Sequence, residues 1–147
     1  MTDLESQLLV AIARNEQRSL LQYVSNSFPW ISSGQEAGMA QLAELAEAEG
    51  RAASALVRFL ARQHIFLHPG IFPVSFMSNN FVSFEHSLPH MALAERRMLA
   101  EREQGLPRIH DAEARALVQA IIDTKHDIVK NLDRLAASHP ATSSTIR

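Results

Sequence analysis

One stretch of this chain leaves little choice of conformation. Between Gln35 and Gln63, the residues Leu42, Leu45, Glu49, Ala52, Leu56 and Phe59 recur at alternating steps of three and four. That spacing places them on one face of an α-helix. His68-Pro69-Gly70 stops the pattern, because proline removes an amide donor and glycine favours the end of a helix. A helix with one apolar stripe has to bury it against other helices or a sheet. The partners are therefore sought in the rest of the chain.

Three more segments carry the same periodicity. From Thr2 to Asn26, Leu9, Ile12, Glu16, Ser19 and Tyr23 share a face, and Thr2 with Glu5 has the spacing of a capping box. Phe28-Pro29-Trp30 and Ser32-Ser33-Gly34 end this helix in a loop; Phe28 and Trp30 are read as closing the bundle end, or as a dimer contact. A third helix is expected from Ser87, with Pro89 in its first turn, to Gly105. Its stripe is Leu88, Met91, Glu95, Met98 and Arg102. The fourth runs from Asp111, as N-cap, to Ser138, with Leu117, Val118, Ile121, Ile122, Ile128, Val129, Leu132 and Leu135 as its apolar face. Between the second and third helices, residues 65 to 87 carry Phe72, Phe76, Phe81 and Phe84 among prolines and a glycine. That composition predicts a packed crossover. Two helices, a long crossover and two more helices make an all-α, single-crossover four-helix bundle over residues 1–138, with a Ser/Thr-rich tail over 139–147.

Composition narrows the function. The 147 residues suit one domain with a sizeable core. A net charge of −2 without a basic block argues against nucleic acid and anionic membranes as partners. The absence of cysteine excludes disulfides, thiolate zinc sites, iron–sulfur clusters and cysteine nucleophiles. No apolar run approaches the ~20 residues that span a bilayer, and Met1-Thr2-Asp3-Leu4-Glu5 lacks the features of a signal peptide. A cytoplasmic protein is expected. No phosphate-binding loop, dinucleotide fingerprint, nucleophile elbow or zinc-protease motif occurs. His64 with His68, and His86 with His90, have a spacing that can bind metal, but the prolines at 69 and 89 point to helix-end and loop positions.

The charges within the stripes stand out more. Glu16 lies within about 20° of the centre of its apolar stripe at 100° per residue. Glu49 sits amid Leu42, Leu45, Leu56 and Leu60, and Glu95 amid Leu88, Met91, Met98 and Leu99. A buried carboxylate is costly unless paired, protonated or metal-bound, and three in one core repel one another. Hard or borderline divalent metals relieve that cost in carboxylate-rich bundles. Glutamates reaching solvent at the edges of their stripes are the plainer alternative.

Asn15-Glu16 and Gln22-Tyr23 resemble the first helix of bacterioferritins, and Leu45 to Leu60 looks like the second helix of ferritin-like proteins of the bacterioferritin and rubrerythrin type. The resemblance implies that Glu16 is a metal ligand, that Tyr23 packs beside the site, and that Glu49 and Glu95 bridge two metals. It departs from the family at Ala52, which stands where a Glu-x-x-His motif has its histidine. In the fourth helix two registers compete. Asp123-x-x-His126 looks like a conservative Glu-x-x-His, yet both residues fall opposite the apolar face; the apolar register aligns Lys125 with the glutamate and Ile128 with the histidine. In that register Lys125 supplies part of the charge of a metal, and Glu16, Glu49, Glu95, Lys125 and Tyr23 form a polar core cluster. Two expectations follow. The favoured one is a non-enzymatic ferritin-like module with a degenerate metal site and no cofactor, acting through its surface, as a homodimer, or through a small apolar ligand. The alternative is an iron or manganese carboxylate protein of the ferroxidase or oxidase type, with Glu16, Glu49, Glu95, Asp123 and His126 as ligands. Haem has no axial-ligand context here.

Overall fold

The computed structural model describes residues 1–27, 31–68, 70–80 and 82–141. Phe28, Trp30, Pro69, Phe81 and residues 142–147, for which the sequence raised expectations, lie outside them. The described chain is helical throughout, without a strand: α1 (Asp3–Gln17), α2 (Leu20–Asn26), α3 (Glu36–Arg62), a 3-10 helix (Val74–Asn79), α4 (Phe84–Gly105), a 3-10 turn (Leu106–Arg108) and α5 (Ala112–Ser138). Among these residues no helix is long and apolar enough to cross a membrane.

The continuous helix expected over Thr2–Asn26 is instead two helices. The backbone leaves helical geometry at Arg18 (φ −125°, ψ 35°), and Ser19 N-caps α2 by accepting a hydrogen bond from the Gln22 amide. A serine side chain competes with the backbone for helical hydrogen bonds and favours a cap. Ser19 also donates its hydroxyl hydrogen to Glu49 on α3, which holds it at the break. The break re-aims the following residues, so Leu20, Leu21 and Val24 are buried while Tyr23 is only half-buried.

α4 begins at Phe84, earlier than expected, and Pro89 therefore lies in its second turn. Phe84 is fully buried and stacks edge-on against His139 at 5.3 Å. Gly38 admits this contact, because a Cβ there would come within 3.0 Å of the Phe84 ring and 2.9 Å of His139 Nε2. The connection between α3 and α4 packs through Phe72 and Phe76, whose rings lie 5.2 and 5.8 Å from that of Tyr23, and through the Tyr23 hydroxyl, which donates to Asn80. Its other apolar residues are less covered than expected: Phe66, Ile71, Val74 and Met77 all face solvent.

The apolar core falls into two clusters. One contains Leu9, Ile12, Ala13, Leu56, Phe59, Leu60, Leu99, Ile109, Val118, Ile121 and Ile122; the other contains Leu20, Leu21, Val24, Leu42, Phe84, Leu88, Met91, Ile128, Leu132 and Leu135. On α3, α4 and α5 a charged residue separates the two sets, and Glu16 near the end of α1 stands between its first-set residues and the second-set residues of α2. At one end of the molecule, buried Glu5 on α1 accepts hydrogen bonds from the backbone amides of His110 and Asp111, where α5 begins. Those hydrogen bonds, that of Asp111 first, hold the Glu5 carboxyl below its ordinary value against the opposing effect of burial. Asp111 itself caps α5 by accepting from the Ala114 amide. Replacing Glu5 by alanine leaves two amides without their acceptor and is expected to cost about 1–3 kcal/mol, whereas Glu5→Gln, which keeps an acceptor oxygen, is expected to cost less. Urea unfolding of both variants checks the order.

Candidate functional site

The boundary between the two apolar clusters is a layer of charge. α1 contributes Glu16, α3 Glu49, α4 Glu95 and α5 Lys125, and none is more than 1% exposed. Each sits in the same stripe as the leucines and isoleucines of its helix, so the burial that rotates the helix inward carries the charge with it. The three carboxylates converge on the ammonium of Lys125. Nζ lies 2.8 Å from Glu49 Oε2, 3.0 Å from Glu95 Oε1 and 2.7 Å from Glu16 Oε1. The first two are directed hydrogen bonds. Glu16 Oε1 is close but off the hydrogen-bonding angle, so it is held by charge. Met98 Sδ, at 3.9 Å, is the softer neighbour of the same ammonium.

A second cation completes the layer. Arg102, about two helical turns beyond Glu95 on α4, is buried, and its Nε donates to Glu16 Oε2 at 3.0 Å. Glu49 is held from another side by the hydroxyl of Ser19 and by Gln22 Nε2, which also donates to the Ala46 carbonyl. Arg102 belonged to the third predicted stripe, and its partner could have been sought by asking which acid faces it. Ser19 and Gln22 carry the Ser-x-x-Gln spacing of a helix start, a signal that lay hidden inside an apparently continuous helix.

Three carboxyls share two cations, so one proton retained in the layer makes it electrically neutral, which is the cheap state for buried charge. Of the three acids, Glu95 is the one whose surroundings most favour the protonated form. Burial and then the Glu49 charge push its pKa well above the ordinary value, against the pull of Lys125, and its Oε2 is buried without a partner among the described residues. Burial raises Glu16 as well, with Lys125 and Arg102 opposing. Burial would raise Glu49 too, but the Lys125 charge and the hydrogen bonds to it bring it below the ordinary value. For Lys125, burial disfavours the charge, and the fields of Glu49, Glu95 and Glu16 outweigh burial and raise its pKa.

Three of the residues proposed for the site lie elsewhere. Asp123 and His126 are exposed on α5: Asp123 accepts from Gln119, and His126 faces Glu103 at 3.4 Å. They project opposite Lys125 and Ile128, both buried, because the apolar stripe sets the rotation of the helix. Tyr23 is also outside the layer, turned toward Phe72, Phe76 and Asn80 by the break before α2. The histidines at 64, 68, 86 and 90 are exposed, His64 in a left-handed turn (φ 61°) that ends α3.

A carboxylate-bridged metal pair does not fit these residues. The point on which the glutamates converge is filled by Nζ, and Ala52 and Ile128 offer no nitrogen ligand. Among the described residues no group of three or more His, Asp or Glu side chains is arranged to hold a metal ion.

The layer makes specific demands on stability. Lys125→Met leaves buried carboxylates without their shared cation and is expected to cost about 3–5 kcal/mol in urea unfolding. Glu95 has a raised folded pKa, so its contribution is complete below the ordinary carboxyl value of 4.5 and is lost as pH rises through the folded value. Glu49 and Glu5 have lowered values and act in the opposite sense, but only below 4.5. Between about pH 5 and pH 8, wild-type stability should therefore fall with rising pH, and Glu95→Gln should flatten much of that slope, leaving the smaller share of Glu16. Urea midpoints across this range measure both.

Comparison with known proteins finds no matching family model, no similar curated protein and no similar solved structure.

Proposed function

We propose that this chain is a ferritin-like four-helix bundle with one long crossover, in which the ammonium of Lys125 stands where the family places metal, and that it works as a non-catalytic binding module. The observation that carries this reading is the convergence of Glu16, Glu49 and Glu95 on Nζ at 2.7, 2.8 and 3.0 Å. A lysine so placed satisfies the charges that a metal otherwise satisfies.

The two core clusters support the topology. Leu9 and Ile12, which precede Glu16, cluster with Leu56 and Phe59, which follow Glu49; Leu99, which follows Glu95; and Val118 and Ile121, which precede Lys125. Leu42 and Leu88, from before Glu49 and Glu95, cluster with Ile128 and Leu132, from after Lys125. This pairing is the one expected if α1 and α5 run one way and α3 and α4 the other. Two successive parallel helices require a connection that travels the length of the bundle, and residues 63–83 would provide it.

Metal binding tests the reading. Wild-type protein incubated anaerobically with Fe(II) or Mn(II) and then desalted is expected to retain no stoichiometric metal by plasma mass spectrometry and to show no rise in Tm. Lys125→Ala, with the carboxylates freed, is expected to gain a Tm increase with added Mn(II), since a ligand that binds only the folded state stabilises it. Stoichiometric metal in the wild type that disappears in Glu49→Ala would overturn the reading, whether or not Lys125→Ala folds.

A further inference from the structure

The break between α1 and α2 opens a cavity beside the charged layer, with which it shares Ser19 and Met98. About 360 Å³ in volume, it lies between that break, the connection at Gly70–Phe76 and α4. This is near the lower end of small-molecule sites, which run from roughly 300 to 1,000 Å³.

Its lining has two characters. Arg14, Arg18 and Arg97 bring three guanidiniums to it, while Leu20, Ile71, Pro73, Phe76 and Met98 give it an apolar wall. Among the described residues none of the three arginines forms an ion pair with a carboxylate. The one acid on the lining, Glu101, lies 3.7 Å from Arg102 and is largely exposed. Arg18 is the more constrained of the cations. Its Nη1 is buried and has no hydrogen-bond partner among the described residues. The backbone of Gly70 presses against the same guanidinium so closely that a Cβ there would lie 2.9 Å from Arg18 Cζ. A buried guanidinium donor without an acceptor is costly, and an anionic oxygen is the acceptor it matches best. On the apolar side, Ile71 is 83% exposed at the lip, an apolar surface without a cover.

We propose that this cavity binds a single-chain amphipathic anion, with its headgroup on Arg18, Arg14 and Arg97 and its alkyl tail against Leu20, Phe76, Met98 and Ile71. The volume suits one chain rather than two. A carboxylate and a phosphate share the headgroup chemistry, and the tail supplies most of the affinity. The inference deepens the reading above by naming a ligand class, and rests on it only in treating the chain as a binding module. Metal uptake by the wild type would overturn the reading of the core while leaving this site intact.

Calorimetric titration of the full chain with hexanoate, octanoate, decanoate and decyl phosphate tests it, with decanol and inorganic phosphate as the halves of the ligand. One anion is expected per chain, with affinity rising about three- to fourfold per added methylene, and with decanol and phosphate each at least about tenfold weaker than decyl phosphate. Tighter binding of the carboxylate or of the phosphate supports the site and identifies its headgroup. Arg18→Gln should weaken decanoate at least about tenfold while leaving decanol unchanged. Because Arg18 is half-buried, Ile71→Asp at the exposed lip serves as a second variant whose fold is not at stake, and it should weaken the long chains more than hexanoate. Absence of saturable binding, decanol binding as tightly as decanoate, or affinities unmoved by Ile71→Asp would overturn the proposal.

Discussion

An ammonium shared by three carboxylates sets the terms for this molecule. Lys125 reaches Glu16, Glu49 and Glu95 at once, and these four residues come from four different helices. Any helix that rotated or slid by one turn would strand a charge in the core, at a cost of several kcal/mol by the usual penalty for an uncompensated buried ion. Apolar stripes alone tolerate such slips, because one leucine replaces another at similar energy. The polar layer therefore specifies the register of the helices while the apolar clusters on either side of it supply most of the burial.

The layer is balanced by more than its central pair. Arg102 pairs with Glu16 from one side, Ser19 and Gln22 hold Glu49 from another, and burial beside Glu49 pushes the Glu95 carboxyl well above its ordinary value. Ser19 couples this balance to the backbone. The same hydroxyl that donates to Glu49 accepts from the Gln22 amide and starts α2. The break in the first helix and the charge balance of the core are thus one feature, and the cavity lined by Arg14, Arg18 and Arg97 opens beside it.

Ferritin-like proteins, which parts of this sequence resemble, use converging glutamates to hold metal. The three glutamates here converge on an organic cation instead. A lysine side chain brings its own counter-charge with the chain, and Nζ sits where the three carboxylates converge. At the margin of the molecule the α3–α4 connection leaves Phe66, Ile71, Val74 and Met77 uncovered.

Much of the helical architecture was legible from spacing alone, because burial of a stripe and helical periodicity are both local properties. α3 and α5 appear within a residue or two of their expected ends, and the stripes containing Glu49, Glu95 and Lys125 are the buried ones. The choice of Lys125 over Asp123 and His126 also followed from the stripe, since apolar area outweighs a single polar motif in setting rotation. What spacing could not reveal depends on partners distant in sequence. Ser19 breaks its helix because Glu49 is there to receive it, Tyr23 turns away because of that break, and Arg102 matters because Glu16 faces it. Periodicity determined which faces of the helices are buried; only the tertiary structure decided which charges meet there, because the energy of a buried ion depends on neighbours contributed by other helices.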